Sequence, residues 1–295
     1  MSLRAGLVSF FLRHTLKKQM STFDDHRKLR QQAGAAIGKI PVEVETETVD
    51  ASGVAAEWVR WQGAGNDAVI LYFHGGGYIF GGLDSHRGLA WRLARASDSK
   101  VLVVDYRLAP EHSFPAAVED AVASYLWVID QGVSAERVIV AGDSAGGGLA
   151  AALMVKLKEL DLAQPKAAVL LSPWCDLTLS GNSLRQNARK DAMLSPEALA
   201  KFTDLYLGDA DPKSPFASPV FADLSGLPPT YVVVGGDEVL RDDSQRLVDN
   251  IRGAGGQAQI EVWPKMPHVF PLLAPIIPEG AQAIEDIASF VRAQL

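Results

Sequence analysis

Cysteine is all but missing from this chain of 295 residues: Cys175 stands alone. A single thiol forms no internal disulfide and no cysteine-rich zinc or iron–sulfur site. Cys175 therefore reads as a small buried apolar side chain. No apolar run approaches the ~20 residues that span a bilayer. Basic charge is in deficit, with 28 Lys and Arg against 35 Asp and Glu and a formal charge of −7. That balance lacks the basic footprint of a nucleic-acid binder. Internal repeats and low-complexity tracts are absent too, which excludes solenoids and disordered tails. What remains is a globular composition, 48% hydrophobic, in a chain long enough to bury roughly 75% of its unfolded surface.

The N-terminus carries Arg4 and then a short apolar stretch to Leu12, as an export signal does. Arg13, His14, Lys17 and Lys18 follow at once, with no small-x-small cleavage pattern. The segment is read as a helix with Leu7, Phe10, Phe11 and Leu16 on its apolar face. A cytoplasmic protein with no membrane partner is expected.

From residue 42 the period changes to two. Residues 42–49 alternate, and a second short strand covers about 55–61. Alternation marks half-exposed, antiparallel strands. Short continuous apolar runs then follow at 68–73, 101–105, 138–141, 167–171, 231–234 and 260–263. Helical patterns separate them at about 85–97, 115–131, 145–160 and 241–254, with a last helix at 280–294. Apolar strands alternating with amphipathic helices predict an α/β fold: a mostly parallel sheet of eight strands, covered on both faces, with the first two strands as an antiparallel edge. Residues 178–228 break the rhythm and hold no strand-like run. Within them Ser195 is set to cap a helix that has Pro196 at its first position. Residues 1–40 and 178–228 are expected to form a helical cap over a catalytic domain of 41–177 and 229–295.

Three constellations carry chemistry. Gly142-Asp143-Ser144-Ala145-Gly146 lies between a strand and a strong helix pattern. A serine at such a turn needs small neighbours two residues away on each side. The turn exposes the hydroxyl and sets the next backbone N–H at a helix N-terminus, where negative charge is favoured. His74-Gly75-Gly76-Gly77 follows the strand ending at Phe73. Its bare N–H groups suit the oxyanion of acyl transfer. His74 reads as a pin for that loop rather than a catalytic group.

A serine hydroxyl needs a base. His14 and His26 lie in the polar N-terminal segment, and His86 and His112 read as structural. His268 follows the last strand, at the carboxyl end of a parallel sheet, where α/β sites assemble. For the acid, Asp237 after the preceding strand is preferred over Glu238. Glu238, Asp242 and Asp243 resemble the acidic first turn of the next helix. The order Ser144, Asp237, His268, with the serine elbow and the glycine loop, matches the α/β-hydrolase pattern.

The chain resembles the bacterial hormone-sensitive-lipase-like carboxylesterases. The match rests on His74-Gly-Gly-Gly77, Tyr106-Arg-Leu-Ala-Pro-Glu111, Phe114-Pro-Ala-Ala117, Gly142-Asp-Ser-Ala-Gly-Gly147, Ser172-Pro-Trp174, Gly236-Asp-Glu-Val-Leu-Arg241 and Met266-Pro-His-Val-Phe270. These motifs fall between about residues 70 and 270, in the family's order. The resemblance implies the α/β-hydrolase fold, a triad of Ser144, Asp237 and His268, and oxyanion donors at Gly76, Gly77 and Ala145, with Gly75 the alternative glycine. It also implies a variable cap and a homodimer paired through the last strand and helix.

The expected activity is that of a serine carboxylesterase on small-molecule esters, with no metal or cofactor. Acyl chains of about four to eight carbons should suit a pocket lined by Tyr78, Phe80, Trp174, Phe202 and Tyr206. Amide, lactone or carbamate hydrolysis would use the same machinery. A non-catalytic binder on the same scaffold would be free to lose Ser144 or His268, and both are present.

Overall fold

The computed structural model describes residues 1–23, 25–34, 40–65 and 67–295. Three helices come first, α1 (Leu3–His14), α2 (Leu16–Thr22) and α3 (His26–Gly34), followed by strands β1 (Val44–Asp50), β2 (Ala55–Trp61) and β3 (Val69–Phe73). Then come α4 (Leu83–Ser97), β4 (Lys100–Val104), α5 (Ala116–Asp130), β5 (Val138–Asp143), α6 (Ala145–Glu159) and β6 (Ala167–Leu171). A long excursion holds the short α7 (Ser183–Gln186) and α8 (Pro196–Leu207). The chain closes with β7 (Thr230–Gly235), α9 (Arg241–Gly253), β8 (Ala258–Trp263) and α10 (Pro278–Gln294).

The eight strands form one sheet in the order β1-β2-β4-β3-β5-β6-β7-β8. β1 and β2 pair antiparallel, β2 meets β4 antiparallel, and all later pairs are parallel. The two rhythms in the sequence have this cause. β1 is an edge and mostly exposed, so it alternates. β3, β5, β6 and β7 are buried on both faces, so they read as continuous apolar runs. Along β3, Val69, Leu71 and Phe73 face the core under α5, α6 and α9, while Ile70 and Tyr72 face the core under α4 and α10.

Register sets the site. Phe73 pairs with Gly142, and Asp143 pairs with Leu171. The residues that leave these three adjacent strands, His74, Ser144 and Ser172, therefore emerge at one level of the carboxyl edge. Gly235 and Trp263 end β7 and β8 at a shared rung, which brings the loops bearing Glu238 and His268 beside them.

The N-terminal helices and the 178–228 excursion lie over that edge, bound to each other. Lys17 Nζ donates to the carbonyls of Ala188 and Asp191, Ser21 and Ser195 share a hydroxyl hydrogen bond of 2.9 Å, and the Phe23 and Phe202 rings lie 5.4 Å apart. Residue 24 and residues 35–39 of the expected 1–40 cap segment lie outside the described residues. Ser195 caps α8 as expected, accepting from the Ala198 N–H. Of the face assigned to Leu7, Phe10, Phe11 and Leu16, the first three lie on α1 and point outward, 72%, 62% and 64% exposed, while Leu16 lies on α2 and is partly buried. α1 docks instead through Ala5 and Val8. Cys175 is fully buried. No helix among the described residues is long and apolar enough to cross a membrane.

Candidate active site

Ser144 sits between the last residue of β5 and the first of α6, with φ 53° and ψ −120°. An L-residue holds a positive φ of this kind only where its surroundings fix it. Three backbone hydrogen bonds do so. Its N–H donates to Leu171, and its carbonyl accepts from Gly148 and Trp174, all within 3.0 Å. The flanking glycines let the chain fold back. A Cβ on Gly146 would lie 2.0 Å from the Phe73 carbonyl oxygen, and one on Gly142 would lie 2.3 Å from that of Gly146. The requirement for small residues on both sides of the serine thus has a structural cause: backbone of β3 and α6 fills the space.

Asp143 ties this elbow to the glycine loop. Its carboxylate accepts from Tyr72 Oη at 2.8 Å and the Gly75 N–H at 3.0 Å, and lies 3.1 Å from His86 Nε2. Burial alone would raise this carboxyl, but His86 and the Tyr72 hydroxyl outweigh it and hold Asp143 below the ordinary range. The Gly75 N–H is therefore already engaged. Among the described residues the N–H groups of Gly76, Gly77 and Ala145 meet no acceptor. Gly76 holds φ 125°, and a Cβ there would strike the Phe80 carbonyl oxygen at 2.0 Å. Gly75, which the sequence left open as a donor, has its N–H engaged by Asp143.

His74 is fully buried, stacked on Tyr106 at 4.3 Å, with Nδ1 2.8 Å from the Gly75 carbonyl oxygen. Burial and neighbouring His86 push it down to about 3, so it is neutral and donates from Nδ1. The contact braces the glycine loop.

The acid expected at Asp237 needs correction. His268 Nδ1 is 2.7 Å from Glu238 Oε2, and both side chains are buried. Asp237 is half-exposed and lines a separate surface cleft with Phe10, Arg13, Lys190 and Lys265. The cause is the turn after β7. The Glu238 N–H returns to the Gly235 carbonyl, so residues 237 and 238 face opposite ways. Glu238 turns inward, where its other oxygen accepts from Ser172 Oγ at 2.6 Å and from the Gly235 N–H. The excursion grips the same turn. Asn187 Nδ2 donates to the Glu238 carbonyl at 2.9 Å, and the Val239 N–H donates to Asp191 at 2.8 Å. Ser172 Oγ also accepts from the Val269 N–H at 3.1 Å, fastening the His268 loop to the Glu238 loop. Burial pushes the Glu238 carboxyl up. Burial also opposes a charged His268, but the Glu238 carboxylate overcomes it and raises His268 above its ordinary value.

Ser144 and His268 line one cavity of about 360 Å³. Of the expected pocket residues, Phe80, Trp174 and Phe202 line it. Tyr78 and Tyr206 do not. Their rings stack on each other at 3.8 Å and are buried behind the wall. Residues that the sequence did not assign to the pocket complete it, chiefly Leu16 and Met20 of α2, Leu29 of α3, and Met193, Leu194 and Leu199 of the excursion. The structure brings the glycine loop, Ser144 and His268 to one cavity, as their residue types and spacing led one to expect. Ser172 belonged to a recognised motif, but its contact with Glu238 spans 66 residues and leaves no local signal.

Fold, elbow and glycine loop define a class, and the comparisons agree with it. A family model described as the alpha/beta hydrolase fold matches residues 70–272. The chain belongs to that family, in its hormone-sensitive-lipase-like branch. It is 41% identical to an acetyl-hydrolase of Streptomyces hygroscopicus over 262 residues, covering 89% of this chain and 86% of the relative. It is 38% identical to an esterase of Acinetobacter venetianus over 248 residues, covering 84% and 82%. Among solved structures it superposes with a TM-score of 0.96 on EstE5 from a crystal soaked with p-nitrophenyl butyrate, at 40% identity over 100% of this chain and 99% of that one. An esterase of the bacterial hormone-sensitive lipase family gives 0.94 at 42% identity, with the same coverage.

Proposed function

We propose that this protein is a serine carboxylesterase acting on short- to medium-chain acyl esters, with Ser144, His268 and Glu238 as its triad. One observation carries the reading: a buried carboxylate–imidazole pair opens into the same cavity as a serine held at positive φ beside three unengaged N–H groups. In this mechanism Ser144 Oγ attacks the ester carbonyl carbon while His268 Nε2 takes its proton. Glu238 holds Nδ1–H and stabilises the imidazolium. The former carbonyl oxygen, now anionic, is met by the N–H groups of Gly76, Gly77 and Ala145, the last at the N-terminus of α6. Collapse expels the alcohol, which receives the proton from His268. Water activated by the same imidazole then releases the acid and restores Ser144.

The apolar lining supports an acyl or alkyl group over a charged one. The relatives named esterase or acetyl-hydrolase, and the p-nitrophenyl butyrate used with EstE5, support a short acyl chain. The test is hydrolysis of p-nitrophenyl esters, with mass measurement after an organophosphate probe. Expected is one adduct, on Ser144, with activity lost in step. Ester turnover that persists after full labelling would overturn the reading.

A further inference from the structure

The outward face of α1 has no role in the site, and its composition is unusual for this chain. Leu3, Leu7, Phe10 and Phe11 recur at helical spacing on one side and are 62–90% exposed. The orientation is fixed from behind. Ser2 Oγ donates to Glu279 Oε2 at 2.9 Å, and Ala5 and Val8 pack into the core under α4 and α10. The apolar ridge is therefore presented to solvent.

The two helices at this end differ in charge from the chain as a whole. The chain carries −7, yet residues 1–23 contain Arg4, Arg13, Lys17 and Lys18 and no Asp or Glu. Lys17 is turned inward onto the Ala188 and Asp191 carbonyls. Arg4 and Lys18 remain exposed. Beside Phe10, Arg13 shares a cleft with Lys190 and Lys265, where Asp237 is the one carboxylate among the described lining residues.

We infer that α1 is a docking surface for an anionic phospholipid bilayer, lying in the interface plane with Leu3, Leu7, Phe10 and Phe11 inserted and the cations around them on the headgroups. An exposed apolar ridge flanked by cations gains from both terms at an anionic bilayer, the apolar area entering the interface and the charge meeting the headgroups. A second copy is the poorer partner. Face-to-face pairing of two such ridges would bring like-charged rims together, which penalises association. The position also has a use. Only Thr15 separates α1 from α2, whose Leu16 and Met20 line the cavity. Docking would hold the cavity wall next to the layer where acyl esters concentrate.

The test uses the full chain and sedimentation with vesicles, either pure phosphatidylcholine or phosphatidylcholine with about one-third phosphatidylglycerol. Binding should require the anionic lipid and weaken with salt. Leu7→Asp combined with Phe11→Asp should cut the bound fraction by about tenfold or more. Arg4→Glu and Lys18→Glu should each weaken binding about fivefold. Hydrolysis of soluble p-nitrophenyl butyrate should be unchanged in all of them, which also shows that they fold. No sedimentation of the wild type, or equal sedimentation of the Leu7/Phe11 variant, overturns the proposal. So does a wild type that self-associates through this face and ignores vesicles, with the double variant becoming monomeric.

Discussion

The sheet and the helices above it obey different rules. In the sheet, each strand's apolar run forecasts where its side chains go, because burial on both faces leaves no choice. Register then sets His74, Ser144 and Ser172 at one level with no further information. In α1, α2 and the 178–228 excursion, the same kinds of residue face three ways. Leu16 and Met20 line the cavity, Ala5 packs on the body, and Phe10 and Phe11 meet solvent. Local pattern decides orientation where an element is enclosed. Long-range contacts decide it where an element only lies on top. Chemistry should accordingly fail sharply when the sheet edge is altered, while specificity should shift gradually when the covering is altered.

The largest effect belongs to the edge. Ser144→Ala should leave a folded protein with kcat down by roughly 10³-fold or more. The sharper contrast lies between adjacent acids. Glu238→Gln should fall by a comparable order, whereas Asp237→Asn, in its surface cleft, should stay within about twofold of wild type. Steady-state kinetics of the three variants settles the pair. Loss in Asp237→Asn with Glu238→Gln near wild type would return the acid to Asp237.

Stability is next. Gly146→Ala sets a methyl against the carbonyl oxygens of Phe73, the last residue of β3, and of His74 after it, which cannot move without the sheet edge. Destabilisation of about 3 kcal/mol or more is expected, measured by denaturant unfolding. A midpoint close to wild type would mean that the elbow is looser than its contacts indicate.

These two cases show what was readable in the sequence and why. The glycines around Ser144 and after His74 are demanded by backbone contact, so residue type carries the information. The choice between Asp237 and Glu238 was not readable. Both are acids in the same turn, and the side of the turn that faces His268 is fixed by contacts with Ser172, Asn187 and Asp191 that span 48 to 66 residues of sequence. Tyr78 and Tyr206 were misread for a related reason. An aromatic beside a site looks the same in sequence whether it lines the cavity or stacks behind the wall.

The pH profile probes the link between edge and acid. A base must be neutral to work, and the Glu238 carboxylate raises His268 above the ordinary imidazole value. Thus kcat/KM should fall on the acid side through an apparent pKa above that value. In Glu238→Gln the largest raising influence is gone, while burial, which lowers His268, and the weaker raising charges of Asp191 and Asp143 remain. The residual activity should then titrate at lower pH than wild type, and an unmoved acid limb would break the assignment.

The smallest effect belongs to the covering, and it concerns acyl length. Each methylene that finds apolar room gains at most ~0.8 kcal/mol, or about fourfold in kcat/KM. The cavity is about 360 Å³, and Phe80, Phe202 and Trp174 bound it with large rigid rings. A chain that outgrows this space must distort or displace α2 or α8, so kcat/KM should rise, peak at about four to eight carbons and fall. Met20 sits on α2, in the part of the wall that is held to the excursion by hydrogen bonds rather than by the sheet. Met20→Trp adds bulk there without touching Ser144, Glu238 or His268. It should leave p-nitrophenyl acetate hydrolysis within about twofold while cutting octanoate hydrolysis about tenfold, since two or more methylenes lose their room. Initial rates on a series of p-nitrophenyl esters from acetate to palmitate measure both curves. If the wild type still climbs at palmitate, or if Met20→Trp lowers all chain lengths alike, the covering does not set acyl length and the limit lies in the sheet edge itself.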